Sequence, residues 1–208
     1  MDLAPKLLHR FSSVEGYDSE PNLVSALKSL KNQHSSRRYD RIVIGVVTNS
    51  DDRVPSILSS FGFNVSPLRY GAQVNPSVLS REDYDIDFHC MSYDVGVEKP
   101  DKLIFSSAEL MLLQIMATRD SKGPAEAKTN TETWRKIYVG DEYVKDVTGA
   151  MNAGWHPVLL DPNDLSDGIS GLEDSHAQDI DGLFEESSVI KIHSIKELVL
   201  WLTGKVNN

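Results

Sequence analysis

A single cysteine, Cys90, excludes an internal disulfide and makes a reducing compartment the expectation. A lone thiol of this kind reads as a small buried hydrophobe. Long apolar runs are missing too: none approaches the ~20 residues that a membrane-spanning helix needs. The opening stretch, Met1 to Lys6, has neither the basic flank nor the apolar core of a secretory signal, so the cytoplasm is expected, with the nucleus left open. Basic residues are scarce, 21 Lys and Arg against 31 Asp and Glu, for a formal net charge of −10. Nucleic acid is thereby disfavoured as a partner, because backbone phosphates demand a basic footprint. Anionic membranes are disfavoured for the same reason. Small anionic substrates stay open, since a few local groups can reverse the potential inside one cleft. Also lacking is any Gly-x-Gly-x-x-Gly after a strand, which removes a dinucleotide-binding reading.

What is present is the balance of a globular protein, 40% hydrophobic and 25% charged over 208 residues. Residues 5–33 carry two apolar stripes at helical spacing, Leu7, Leu8 and Phe11, then Leu23, Val24, Leu27 and Leu30. Ile42 to Thr48 is a continuous β-branched run, as in strands buried on both faces of a parallel sheet. A helix through Ile57, Leu58 and Phe61 follows and closes at Gly62. Residues 64–84 read as irregular. Phe88 to Ser92 reads as a second strand, and Leu103 to Ile115 as a helix behind Pro100. Residues 118–133 hold no large apolar residue and read as a mobile insertion. Strand 137–139, a helix from Val144 to Ala153, strand 157–160, strand 189–192 and a helix 195–202 complete the pattern. Between the last two strands, residues 161–188 carry many acids and no Lys or Arg, and read as a solvated loop. Strands alternating with helices in this way predict an α/β fold with a Rossmann-like parallel sheet, whose ligands bind at the carboxyl ends of the strands.

Three strand ends carry chemistry. Thr48-Asn49 stands directly before a helix, where a hydroxyl and backbone N–H groups favour an anion, although Asn49 or Ser50 acting only as a helix cap is the plainer alternative. Lys99 stands before the Pro100-Asp101 helix start, where the helix dipole disfavours a cation unless an anion lies between; a solvated surface lysine is the alternative. Gly140-Asp141 ends a strand, with Asp146 about a turn into the next helix. Two hard oxygen donors of this kind suit Mg²⁺. The alternative there is a cap and an exposed surface acid.

Taken together and in this order, Thr48-Asn49-Ser50-Asp51, Val97-Glu98-Lys99-Pro100-Asp101 and Gly140-Asp141 with Asp146 resemble the second, third and fourth motifs of the haloacid-dehalogenase-like (HAD) hydrolases, phosphatase type. Gly149-Ala150-Met151-Asn152-Ala153-Gly154 resembles the family as well. The likeness runs from about Ile42 to the C-terminal helix. It implies a HAD core over 39–208, and residues 1–38 are similar to the end of the helical cap that many members carry. It implies that Thr48 hydrogen-bonds a phosphoryl oxygen with Asn49 shaping the turn, and that Lys99 neutralises phosphoryl charge. It further implies that Asp141 holds Mg²⁺, directly or through water, supported by Asp146. A small phosphorylated metabolite would be the substrate. Dehalogenation is less favoured, because carbon–halogen displacement does not require a metal site.

The family's first motif, a strand ending in Asp-x-Asp whose first carboxylate attacks phosphorus, has no counterpart. Asp85-Ile86-Asp87 has the pattern but starts a strand, ~15 Å or more from the strand's other end. In the resembled fold the missing strand lies between those expected at 42–48 and 137–140. The expectation is therefore the C-terminal part of a longer hydrolase, inactive as it stands. The competing expectation is a non-catalytic module that keeps a phosphate and Mg²⁺ pocket for binding or regulation.

Overall fold

A computed structural model describes residues 3–32, 39–80, 83–119 and 134–204. Its described strands form two parallel sheets, one of two strands and one of three. The chain divides into two compact units. The first gathers Met1–Val24, Val43–Glu98 and Leu103–Glu132; the second gathers Ser25–Ile42, Lys99–Lys102 and Thr133–Asn208.

In the first unit, α1 (Leu3–Phe11) is the expected amphipathic helix, yet Leu3, Leu7, Leu8 and Phe11 are all exposed. Strand β1 (Gly45–Thr48) pairs in parallel with β2 (Phe88–Met91), Gly45 opposite Phe88 and Thr48 opposite Met91. The apolar run begins at Ile42 but the ladder begins three residues later. At Ile44 the carbonyl still accepts the Asp87 backbone N–H at 2.7 Å, but the Ile44 N–H donates to the Asp87 carboxylate at 2.8 Å instead of to a backbone partner. Gly45 must lack a side chain, because a Cβ there would stand 2.1 Å from the Phe88 ring. Helix α3 (Val54–Ser60) follows β1, and a short α4 (Pro76–Leu79), capped by the Asn75 side chain, breaks the region expected to be irregular. Ser92, expected in the second strand, instead opens a one-turn helix, α5 (Ser92–Val95). Helix α6 (Lys102–Arg119) buries Ile104, Phe105, Ala108, Met111, Ile115 and Met116, while Leu103 and Leu110, also expected on its apolar face, are exposed. The Cys90 thiol meets the Ile104 carbonyl at 3.6 Å. Cys90 is fully buried, and burial pushes its pKa up to about 12, so it is the inert hydrophobe that its isolation in the sequence suggests. The expected insertion lies, from residue 120 to 133, outside the described residues.

In the second unit, α2 spans Leu23–Lys31 and buries Ala26 and Leu30. The sheet order is β3 (Ile137–Gly140), β4 (His156–Leu160), β5 (Ile190–Ile192), all parallel. Successive β4 side chains serve opposite faces, as a pleated strand requires. Val158 joins a cluster with Ile190, Ile192, Leu198 and Trp201, while Leu159 packs with Val147 and Val189. A π-helical turn (Tyr143–Thr148) leads from β3 into α7 (Gly149–Asn152).

The stretch 161–188 departs from the expected solvated loop. It holds a 3₁₀ turn (Leu172–Asp174) and α8 (Ile180–Glu186), and Leu172, Ile180 and Leu183 are buried in the Val158 cluster. Ile180, Leu183 and Phe184 have helical spacing, and Asp179 caps α8 by accepting from the Gly182 N–H at 2.9 Å. The acidic composition masked a short amphipathic helix. Helix α9 (Ile195–Leu202) closes the described chain as expected. Among the described residues, no helix is long and apolar enough to cross a membrane.

Candidate functional site

The strand ends of the second unit hold the most organised chemistry. Lys99 donates to the Asp146 carboxylate and to the Tyr138 hydroxyl, each at 2.7 Å. Tyr138 in turn donates to the same Asp146 oxygen at 3.3 Å. The other Asp146 oxygen accepts the Glu142 backbone N–H at 2.9 Å. The Lys99 and Asp146 side chains are 11% and 4% exposed, so this ion pair is far less screened than a surface one. Gly140 is required for it: a Cβ there would lie 2.3 Å from the Asp146 carboxyl carbon. The glycine of Gly140-Asp141 thus makes room for a carboxylate six residues later.

Tyr138 was not foreseen as part of this group. Its position in an alternating strand marks it only as a core aromatic. Burial, followed by the Asp146 charge, raises its pKa well above the usual phenol value, so it stays a neutral hydroxyl. The Trp155 ring meets the Tyr138 ring edge-on at 6.5 Å, and the Lys99 ammonium lies 5.3 Å from the Tyr138 ring centre.

The two carboxylates expected at a metal differ in situation. Asp141, at the carboxyl end of β3, is exposed. Mg²⁺ is held through one or two carboxylates, with waters and phosphate oxygens completing its shell, and Asp141 fits that requirement. Asp146 has both oxygens engaged by Lys99, Tyr138 and the Glu142 N–H, which fits a supporting role. Lys99 is no solvated surface lysine, and Asp146 is no exposed acid.

In the first unit, Thr48 and Asn49 are half-buried at the carboxyl end of β1. Neither Asn49 nor Ser50 caps the next helix, because α3 starts only at Val54, after Arg53. Asp51 takes that place in part: its carboxylate accepts the Arg53 N–H at 3.2 Å and grips the guanidinium at 2.8 and 2.9 Å. The Arg53 contact holds the Asp51 carboxyl below its ordinary pKa. An open cleft of about 550 Å³ lies at these strand ends, lined by Asn49, Ser50, Arg53, Ser92, Tyr93 and Gly96 among others. Its β1 and β2 sides are tied together by the Tyr93 N–H and the Ser92 hydroxyl, which donate to the Ser50 carbonyl at 3.2 and 3.3 Å.

Asp85 and Asp87 are structural. Asp87 stands just before β2, 1% exposed, and its carboxylate pairs with Arg119 at 2.9 Å. Asp85 accepts the Asn64 backbone N–H at 2.7 Å. Both lie at the amino end of β2, opposite its carboxyl end.

No family model matches the chain. An uncharacterized hydrolase of Schizosaccharomyces pombe is 28% identical over 160 residues, 77% of this chain and 54% of that protein. An uncharacterized protein of Saccharomyces cerevisiae is 29% identical over 194 residues, 89% of this chain and again 54% of the relative. The chain therefore spans about half the length of these curated relatives. Among solved structures, a HAD phosphatase from Thermococcus onnurineus is similar, with a TM-score of 0.52 and 20% identity. That likeness covers 99% of this chain and 67% of the other. The fold is α/β, of the HAD, Rossmann-like type.

Proposed function

We propose that these residues form part of a Mg²⁺-dependent phosphomonoester hydrolase of HAD type. The observation that carries the reading is the buried Lys99–Asp146–Tyr138 group at the carboxyl end of β3. A cation fixed at a strand end by a buried carboxylate suits an enzyme that must stabilise phosphoryl charge. In this reading Lys99 neutralises the phosphoryl group, and Asp146 acts on it by holding Lys99 in place. Thr48 donates its hydroxyl to a phosphoryl oxygen, with Asn49 shaping that turn. Asp141 would hold Mg²⁺, which supplies further charge stabilisation when bound. The helices α1 and α2 belong to a cap. A small phosphorylated metabolite is the substrate class, and the cytoplasm, or the nucleus, is the location.

The attacking carboxylate is not among the 208 residues. Asp-x-Asp occurs at 83/85, 85/87 and 179/181. Asp85 and Asp87 are occupied in structural bonds at the amino end of β2, while Asp179 caps α8 and Asp181 pairs with Arg135, none of them ending a strand. The chain alone is therefore expected to bind phosphate without turning it over, the nucleophile coming from a strand outside these residues. A non-catalytic phosphate-binding module would use the same residues and is the second reading.

Calorimetric titration of the 208-residue chain with inorganic phosphate in Mg²⁺ tests the binding, and p-nitrophenyl phosphate tests turnover. Saturable phosphate binding should weaken by roughly tenfold or more in Lys99→Met, a charge-assisted contact being worth about 1.5–3 kcal/mol. Because that variant strands a buried carboxylate, Thr48→Val provides a milder second probe. Binding that ignores both substitutions would sink the proposal. Turnover abolished by Asp141→Asn would show that the chain carries its own nucleophile and overturn the binding-only expectation.

A further inference from the structure

A second group of ligating side chains lies at the carboxyl end of β5. His193 directly follows the strand, Glu197 is in the first turn of α9, and Glu173 comes from the 3₁₀ turn at Leu172–Asp174. One ligand atom from each lies within 4.8 Å of the others. The His193 Nδ1 is 3.7 Å from a Glu197 oxygen and 3.9 Å from a Glu173 oxygen. Those separations exceed a hydrogen bond. They approach the edge of a tetrahedron around Zn²⁺, which is roughly 3.4 Å for metal–ligand bonds of about 2.1 Å.

Helix capping accounts for only part of this arrangement. Ser194 caps α9, its hydroxyl accepting the Glu197 N–H at 3.1 Å. Glu197 Oε2 reaches back one residue beyond the cap, accepting the His193 backbone N–H at 2.8 Å. The other oxygen, Oε1, is sealed from solvent and meets no donor among the described residues. A buried carboxylate oxygen without a donor or cation is costly. The neighbouring cation does not resolve the imbalance, since the Lys191 ammonium is bonded to Asp164 and the Ser166 carbonyl.

We propose that Glu173, His193 and Glu197 bind a divalent cation of the Zn²⁺ type, with water completing the shell. One imidazole and two carboxylates suit Zn²⁺ better than Mg²⁺, which prefers oxygen ligands alone. The inference does not depend on the phosphatase reading, because it shares no residue with Lys99, Asp141 or Asp146.

The test is Zn²⁺ titration of the chelator-treated chain by calorimetry. His193→Ala and Glu173→Gln are the variants of choice, since the His193 and Glu173 side chains are 39% and 52% exposed, while Glu197 also holds the His193 backbone N–H. One equivalent of Zn²⁺ is expected to bind. Each variant should weaken it at least about tenfold, since loss even of an outer-shell partner costs that much. Asp141→Asn should leave the binding unchanged, and zinc-free thermal unfolding of the two cluster variants should match the parent chain. Absent Zn²⁺ binding would mean a proton shared by the two carboxyls, and would overturn the proposal. So would binding unaffected by both cluster variants, or binding lost in Asp141→Asn.

Discussion

Asp87 carries a motif-like spacing and a structural job. Its carboxylate joins the start of β1, through the Ile44 N–H, to the end of α6, through Arg119. With side chains 0% and 4% exposed, removal of either partner leaves a buried uncompensated charge. Asp87→Ala should therefore cost about 3–5 kcal/mol in urea unfolding, at the level seen for broken buried pairs. Near-parental stability would mean that the pair is not formed. His89, one residue into β2, sets a pH dependence of its own. Burial, with Arg69 adding to it, lowers its pKa to about 4 from an ordinary value near 6.5. The unfolded chain then binds a proton that the folded chain refuses, so this contribution is complete above about pH 6.5 and declines as pH falls toward about 4. His89→Asn should flatten that part of the profile of melting temperature against pH; an unchanged slope would place the effect elsewhere. That Asp85-Ile86-Asp87 opens a strand instead of ending one was legible in the sequence. The partners of Asp87, Ile44 and Arg119, and the burial of His89 were not, since they depend on elements distant along the chain.

Among the elements, the strands were legible because continuous β-branched runs such as Ile42 to Thr48 have few other homes. Their first residues were not, since a side chain forty-three residues away takes the Ile44 N–H just before β1. The helix α8 was missed because Asp179, Asp181, Glu185 and Glu186 outweigh its apolar residues when composition alone is weighed. Periodicity was the better signal, with Ile180, Leu183 and Phe184 on one face. Leu183 is 1% exposed in the Val158 cluster, so Leu183→Ala should destabilise by about 2–5 kcal/mol, the range for emptying a buried leucine site. An effect within about 0.5 kcal/mol, as for a surface substitution, would restore the solvated-loop reading. Of the candidate site, Lys99, Asp141 and Asp146 were legible as residue types at strand ends. Tyr138, and the reason for Gly140, needed the three-dimensional course of the chain: the glycine is explained by an Asp146 side chain folding back over it.

At the scale of the whole molecule, the net charge of −10 governs how any cation experiment must be read. An excess of like charge destabilises the compact state by self-repulsion, and mobile ions screen it over about 10 Å at 0.1 M. Raising NaCl from about 10 mM to about 300 mM, where the screening length shrinks severalfold, should therefore raise the melting temperature. A fall would mean that attractive pairs such as Asp51–Arg53 and Arg135–Asp181 outweigh the repulsion. Divalent cations screen more strongly still, so Mg²⁺ or Zn²⁺ will stabilise this acidic chain whether or not it has a site for either. What separates a site from an atmosphere is sensitivity to one residue. At matched ionic strength, the Mg²⁺ increment should shrink in Asp141→Asn and persist in His193→Ala, while the Zn²⁺ increment should behave in the opposite way. If both increments survive both substitutions, the stabilisation is screening, and neither strand end holds a metal.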